Sequence, residues 1–147
     1  MERKIKRGDM YYAALSGVGS EQAGSRPVLI ISNDIGNNHS RTVIVATITS
    51  KTAEKADLPT HCYIQKQQGI WLDSLVLMEQ IRTIDKSRLK HYIGTLNPDD
   101  MSKADKALAV SMGLCYIDER EFAEITHRKQ INRNKQEKNR RSEYGSY

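Results

Sequence analysis

The chain is short of the residues that usually give a function away. Its 147 residues include one Phe, one Trp, two Cys and three Pro. With so few large aromatics, no base-stacking surface of the kind many single-strand binders use stands out, and Trp71 reads as a core or loop anchor. Cys62 and Cys115 lie far apart and fit no ligand spacing, so they read as free thiols of a reducing compartment. The four histidines, His39, His61, His91 and His127, share no strand or helix face; His61 after Pro59 can serve as a general acid or base, but a lone histidine reads more often as an ordinary surface residue. Neither a Gly-x-Ser-x-Gly elbow nor a phosphate loop is present; the GVG at 17–19 lacks the Lys and Ser/Thr that a phosphate loop needs after its glycines. These absences argue against metal-assisted hydrolysis, acyl transfer from an exposed serine and nucleotide hydrolysis, and no metal or cofactor is expected. No apolar run approaches the roughly 18 residues of a membrane span. There is no amino-terminal apolar stretch of signal-peptide length. A cytoplasmic protein with no membrane association is the expectation.

Charge is distributed unevenly. Residues 1–127 hold 16 basic and 16 acidic side chains, whereas residues 128–147 hold 7 and 2. The net charge of +5 therefore belongs to the tail, and the basic character says nothing about what the folded body binds. The expected organisation is one domain over 1–118 and a basic extension over 119–147, partly helical or disordered as apolar positions thin out.

The first two thirds read as strands, because short Val- and Ile-rich runs are bounded by Gly, Asn, Asp and Pro. They are GDMYYAAL from Gly8, RPVLIISN from Arg26, TVIVATIT from Thr42, HCYIQ from His61 and DSLVLMEQIRTI from Asp73. The Thr42 run is apolar on both alternating faces, as a central, doubly covered strand should be. With GNNHS as a turn between the second and third strands, the body becomes a small, mostly antiparallel barrel or curled sheet of five or more strands, closure hiding its edges. Helices cap it. Asp85 is a candidate N-cap for KSRLKHYI, ended by Gly94. Asn97 as N-cap, Pro98 at the first turn and Asp99-Asp100 at the positive end of the dipole predict a second helix, with Met101, Ala104, Leu108 and Met112 on a face that packs on the barrel or on a second subunit, and Gly113 as its stop.

What remains for chemistry is a set of polar residues at strand ends: Arg26, Asn33, Asp34, Thr47, Thr49, Ser50, Asp73, Glu79, Gln80 and Arg82. Arg26 precedes Pro27, which restrains its backbone to an extended form at the mouth of a core strand. Taken alone it can be surface decoration, an ion-pair partner or a group placed to meet an anion. If the second and third strands pair, Thr49-Ser50 comes near Arg26. A guanidinium beside a hydroxyl can hold a phosphodiester and stabilise charge developing on its oxygens. RNA suits such a site, since its own 2′-hydroxyl supplies the nucleophile.

The segments KRGDMYYAAL, GSEQAGSRPVLIISNDIGN, TVIVATITS, LPTHCYI, DSLVLMEQIRTIDKSRL and IGTLNPDDM resemble, in order and spacing, the MazF/PemK-type toxin endoribonucleases, closest to the branch of Gram-positive bacteria. The resemblance covers residues 4–117. It implies an SH3-like, PemK/CcdB-type barrel with short helices and one longer carboxy-terminal helix. It also implies a homodimer, a MazE-type antitoxin, and metal-independent cutting of single-stranded RNA to a 2′,3′-cyclic phosphate and a 5′-hydroxyl. Carried over residue by residue, the catalytic pair falls on Arg26 and Thr49, and Ser20, Glu21, Gln22, Asn33, Asp73 and Gln80 fall on substrate-groove positions. The loop before GSEQ is one residue shorter than in related sequences. Leu77-Met78 replaces a Leu pair, a volume-conserving change. Two rivals use the same features: a CcdB-like inhibitor that binds DNA gyrase without cutting anything, and an RNA-binding adaptor that works through the basic tail.

Overall fold

The computed structural model describes residues 3–50, 58–67 and 69–144. Six antiparallel strands form one curled sheet: β1 (Asp9–Leu15), β2 (Gly24–Ile30), β3 (Thr42–Thr49), β4 (His61–Ile64), β5 (Ser74–Asp85) and β6 (Leu89–Thr95), in the spatial order β4-β5-β3-β2-β1-β6. β3 is interior, and the side chains from Val43 to Thr49, Ile44 aside, are buried, as its two-faced apolar pattern predicts. Alternation then sends side chains to two cores. Val28, Ile30, Val43 and Val45 gather with Tyr11, Ala13, Leu15 and Ile84 on one face. Leu29, Ala46, Ile48, Val76 and Met78 gather on the other beneath α2 (Pro98–Ser111), which adds Ala104 and Ala107. Each fully buried Val, Leu, Ile or Met contributes about 1.5–3 kcal/mol.

α2 starts as its sequence predicts: Asn97 Oδ1 accepts from the Asp100 N–H at 2.8 Å, and Gly113 at φ +73° follows the helix end. Three expectations are corrected. The sheet is not closed by hydrogen bonds; β4 and β6 are its edges. GNNHS is not a plain turn but part of a short helix, α1 (Asp34–His39), because Asn33 Oδ1 caps it through the Gly36 N–H at 2.8 Å. KSRLKHYI is not a helix. Asp85 does cap a single 3-10 turn, Lys86–Arg88, through the Ser87 N–H. After that turn the free edge of β1 recruits residues 89–95 as β6, pairing Tyr11 with Tyr92 and Asp9 with Thr95. Ladder bonds along an open edge outweigh a helix of two turns.

The far end of the chain is a 26-residue helix, α3 (Glu119–Tyr144); residues 145–147 of the expected extension lie outside the described residues. Asp118 and Glu121 form a reciprocal capping box, with N–H to carboxylate distances of 2.8 and 3.1 Å, and Lys, Arg, Gln and Glu carry the helix onward by propensity.

One glycine is required by a close approach. Gly69 has φ +87°, and a Cβ there would lie 2.6 Å from the Ile93 carbonyl oxygen, so the turn before Trp71 seats directly on β6. Gly69→Ala should therefore cost about 1–3 kcal/mol. Gly19→Ala, at positive φ but in open space, should cost only the local strain of about 1–2 kcal/mol. Urea denaturation of the two variants checks the ranking; an unchanged midpoint for Gly69→Ala would refute the tight seat.

Candidate active site

The site begins with a hydrogen bond that cannot form. The Ile31 N–H donates to the Ile44 carbonyl across β3 at 2.9 Å, so by alternation residues 31, 29 and 27 turn their backbone groups toward β3. Residue 27 is Pro27, which has no N–H to give. The β2–β3 ladder stops at Val28–Thr47 accordingly. Continued by two residues, its register would set Arg26 opposite Thr49. Instead the strands part there, and a groove of about 290 Å³ opens, lined by Tyr12, Arg26, Thr49, Ser50, Trp71 and Leu72 among others.

The structure thus brings Arg26 and Thr49 into one groove. Arg26 is half-buried, its Nε donating to the Ala23 carbonyl at 2.8 Å, and among the described residues no carboxylate pairs with it. Thr49 is 3% exposed at the end of β3, opposite Leu75 of β5. Trp71 is not a core anchor: it is 78% exposed at the groove rim, with Leu72 beside it and Tyr12 also in the lining. Sequence reasoning missed this aromatic surface, because one Trp and a Tyr far apart in the chain meet only once the sheet curls. Among the described residues, neither carboxylate nor imidazole lines the groove. His61 is buried, not at the surface: its Nδ1 accepts from the Leu58 N–H and its Nε2 bonds Glu79 at 2.7 Å.

The loop of Ser20, Glu21 and Gln22 is held rather than loose. Arg82 donates to the Ser16 carbonyl and, at 2.7 Å, to the Gln22 carbonyl; Gln80 Nε2 donates to the Ser20 carbonyl at 3.2 Å. The Glu21 carboxylate accepts from the Val18 N–H at 3.1 Å. Gln80 and Arg82 reach the loop because β5 bulges. Ala46 pairs with Ile81 but Thr47 pairs with Leu77, leaving residues 78–80 without a partner on β3, with the Thr47 hydroxyl on the Gln80 carbonyl.

Two expected groove residues face elsewhere. Asn33 caps α1 beyond the other end of β2 from Arg26, seven positions along the chain, on the order of 20 Å in extended backbone. Asp73 adjoins the groove in sequence, yet its carboxylate accepts from the Lys66 N–H at 2.8 Å and pairs with Arg140 of α3. Burial pushes the Asp73 carboxyl up, but Arg140, the Lys66 N–H and the Tyr63 hydroxyl outweigh it and hold the group below its ordinary range. Burial, with that bond to Asp73, pushes Tyr63 up to about 12. Glu79 is likewise lowered: burial opposes its charge, but His61, its own backbone N–H and the Thr60 hydroxyl prevail.

A curled antiparallel sheet with a cation and hydroxyls in an aromatic-rimmed groove has the chemistry to hold an anionic, base-bearing ligand. Comparison narrows the class. The family described as "PemK-like, MazF-like toxin of type II toxin-antitoxin system" matches residues 6–112. Endoribonuclease EndoA of Bacillus subtilis is 55% identical over 112 residues, 75% of this chain and 96% of that protein. A mycobacterial endoribonuclease solved in complex with its cognate antitoxin superposes with a TM-score of 0.63 at 28% identity, covering 77% of this chain and 99% of the other. MazF from Deinococcus radiodurans, 20% identical, shares the fold with a TM-score of 0.65 over 76% and 99% of the two chains. The chain belongs to the MazF/PemK toxins of type II toxin-antitoxin systems, and its activity is that of an endoribonuclease. The matched region ends before α3.

The two lowered carboxyls fix a pH dependence. Unfolded, Asp73 and Glu79 would titrate near 3.8 and 4.5; folded, both titrate lower, so through that window the unfolded chain binds more protons. Their stabilisation is fully present above the ordinary values and is lost as pH falls through the lowered ones. Urea midpoints taken from neutral pH downward should fall less steeply in the Asp73→Asn and Glu79→Gln double variant than in wild type. Parallel curves would refute the assignment.

Proposed function

We propose that the groove holds single-stranded RNA and cuts it without a metal, the RNA's own 2′-hydroxyl attacking the adjacent phosphorus. The P–O2′ bond forms as the P–O5′ bond breaks, the 2′ proton leaves, and the departing 5′ oxygen gains one. The products are a 2′,3′-cyclic phosphate and a 5′-hydroxyl. The observation that supports this most is the meeting of Arg26 and Thr49 in a groove whose described lining supplies neither acid nor imidazole. Arg26, protonated throughout, clamps the non-bridging oxygens and stabilises the charge that grows on them, and the Thr49 hydroxyl adds a hydrogen bond to the same phosphoryl group. In-line geometry is then what the protein contributes.

Trp71 and Tyr12 offer faces for flanking bases. The loop of Ser20, Glu21 and Gln22, clamped by Gln80 and Arg82, is the natural reader of base edges, since a rigid loop gives up little entropy on binding. Asp73 and Asn33 remain assigned to the substrate path by family resemblance; the contacts of Asp73 to α3 and the capping role of Asn33 make them its outlying members. Residues 1–118 form the ribonuclease unit in this reading and residues 119–147 an extension. A homodimer, a MazE-type antitoxin partner and a cytoplasmic setting complete it. The setting is supported by two free thiols, Cys62 and Cys115, and by the lack, among described residues, of any helix long and apolar enough to cross a membrane.

With EDTA present, the purified protein should cut a mixed-sequence single-stranded RNA, and Arg26→Ala should lower kcat/KM by about 100-fold or more. Cutting by Arg26→Ala at the wild-type rate would overturn the reading. Trp71→Ala should raise KM by about 5- to 150-fold, the worth of one stacked base, with a smaller change in kcat. A substrate carrying 2′-deoxyribose on the 5′ side of the cut should bind and stay intact; its cleavage would exclude attack by the 2′-hydroxyl.

A further inference from the structure

α3 is polar all round, yet it has a defined seat. Lys129 Nζ donates to the Leu58 and His61 carbonyls at 3.1 and 2.6 Å, on the free side of edge strand β4, and Arg140 pairs with Asp73 eleven residues further along. Phe122, Ile125, Lys129, Arg133 and Arg140 recur at helical spacing and are among the less exposed positions of α3. Between this face, β4 and α2 lies a cleft of about 310 Å³. Lys103 and Lys106 of α2 and Lys129 and Arg133 of α3 line it, and among the described residues no carboxylate does. Tyr63 connects it to the groove: its side chain lines the cleft, and its hydroxyl bonds Asp73, two residues from Trp71.

Resting on the ribonuclease reading above, we propose that this cleft and the outward face of α3 form a second RNA site, which binds the phosphates of the strand flanking the cut. RNA lying across the groove continues beyond it, and the Tyr63–Asp73 contact joins the groove to the basic cleft. Lys135, Lys138 and Arg141, all exposed, prolong the track along α3. The chemistry favours a polyphosphate over a protein. A protein interface is anchored by buried aromatic or aliphatic side chains, whereas the only large hydrophobic exposed among the described side chains of α3 is Ile131, at 39%. The outward face of α3 thus presents point charges with little apolar surface, which suits a phosphate backbone held by charge and counterion release.

The test uses the full chain and two RNAs centred on a cut mapped from a mixed-sequence pool. One spans about 8 nucleotides, within the size of a single groove, and the other about 30. Each is made with 2′-deoxyribose at the cut so that binding is read by fluorescence anisotropy, and made cleavable for kinetics. Wild type should bind the long RNA at least about tenfold tighter than the short one at low salt. Lys103→Gln, Lys106→Gln, Lys135→Gln and Lys138→Gln combined should abolish that advantage. The slope of log K against log salt should fall by about 3, from roughly 0.7 per lost phosphate contact. Binding and cutting of the short RNA should not change. The same four positions changed to Arg should behave as wild type, which separates charge from folding.

A combined Gln variant that keeps the long-RNA advantage overturns the proposal, and so does one that loses short and long binding equally. Loss of antitoxin binding with long-RNA binding intact would assign the cleft to a protein and overturn it too. Should wild type cut nothing in the pool, the ribonuclease reading fails, while anisotropy with pool-derived RNAs of the same two lengths still decides whether the second site exists.

Discussion

The missing N–H of Pro27 is the constraint on which the site depends. A sheet of this size would otherwise zip β2 to β3 along their full length, since every unpaired backbone group away from water is costly. Proline removes the donor at one position on the β3 side, and the ladder ends at Val28–Thr47. Past that point there is register without pairing: Arg26 and Thr49 remain on strands fixed by β1 and β5, yet no longer pull their strands together. The groove is thus framed by rigid elements on both sides and needs no ladder bond broken to open. Such framing suits a reaction in which the protein contributes orientation and charge rather than a nucleophile.

The second constraint is the bulge of β5. Skipping residues 78–80 rotates the remainder of the strand, so that β5 serves two purposes. Its first half, Ser74 to Met78, is buried core, and its second half sends Gln80 and Arg82 across to the β1–β2 loop. Arg82 directs its guanidinium to two loop carbonyls instead of to solvent. Hydrogen bonds from a charged donor are worth about 1.5–3 kcal/mol each. That is enough to order a short polar loop and to fix Ser20, Glu21 and Gln22 relative to Arg26. The two arginines therefore differ in role: Arg82 shapes the protein, and Arg26, with no carboxylate among the described residues to neutralise it, brings its charge to the groove.

These features were unequally legible in the chain. The α2 start was plain because Asn97, Pro98 and Asp99 each satisfy the same local rule. Arg26-Pro27 was legible as a restrained cation, and the pairing of β2 with β3 came from two adjacent apolar runs. By contrast, β6 was hidden. Asp85 and the residues after it do favour a helical turn, and only the open edge of β1, a tertiary fact, overrides them. Trp71 was hidden for a related reason: its exposure depends on Gly69 seating against Ile93, a contact between residues with no local relation. The capping box of Asp118 and Glu121 was present in the sequence and marks where α3 begins; the polar composition after it drew attention away from the signal.

α3 shows how a helix without an apolar stripe can hold a place. Its composition gives it no hydrophobic reason to dock, and an isolated surface ion pair contributes about 1 kcal/mol at most. Its contacts are of another kind. Lys129 meets the His61 carbonyl, which edge strand β4 turns away from β5, and the Leu58 carbonyl just before it; this satisfies the open group and hinders the edge from pairing with another chain. Arg140 meets Asp73, a carboxylate already fixed by the Lys66 N–H and the Tyr63 hydroxyl, so little further ordering is needed to make the pair. Both contacts use groups the barrel had already positioned. A docking built this way stays polar and hydrated. It also leaves Lys135, Lys138 and Arg141 exposed, so the position of the helix and the direction in which those charges face are set by the same few bonds.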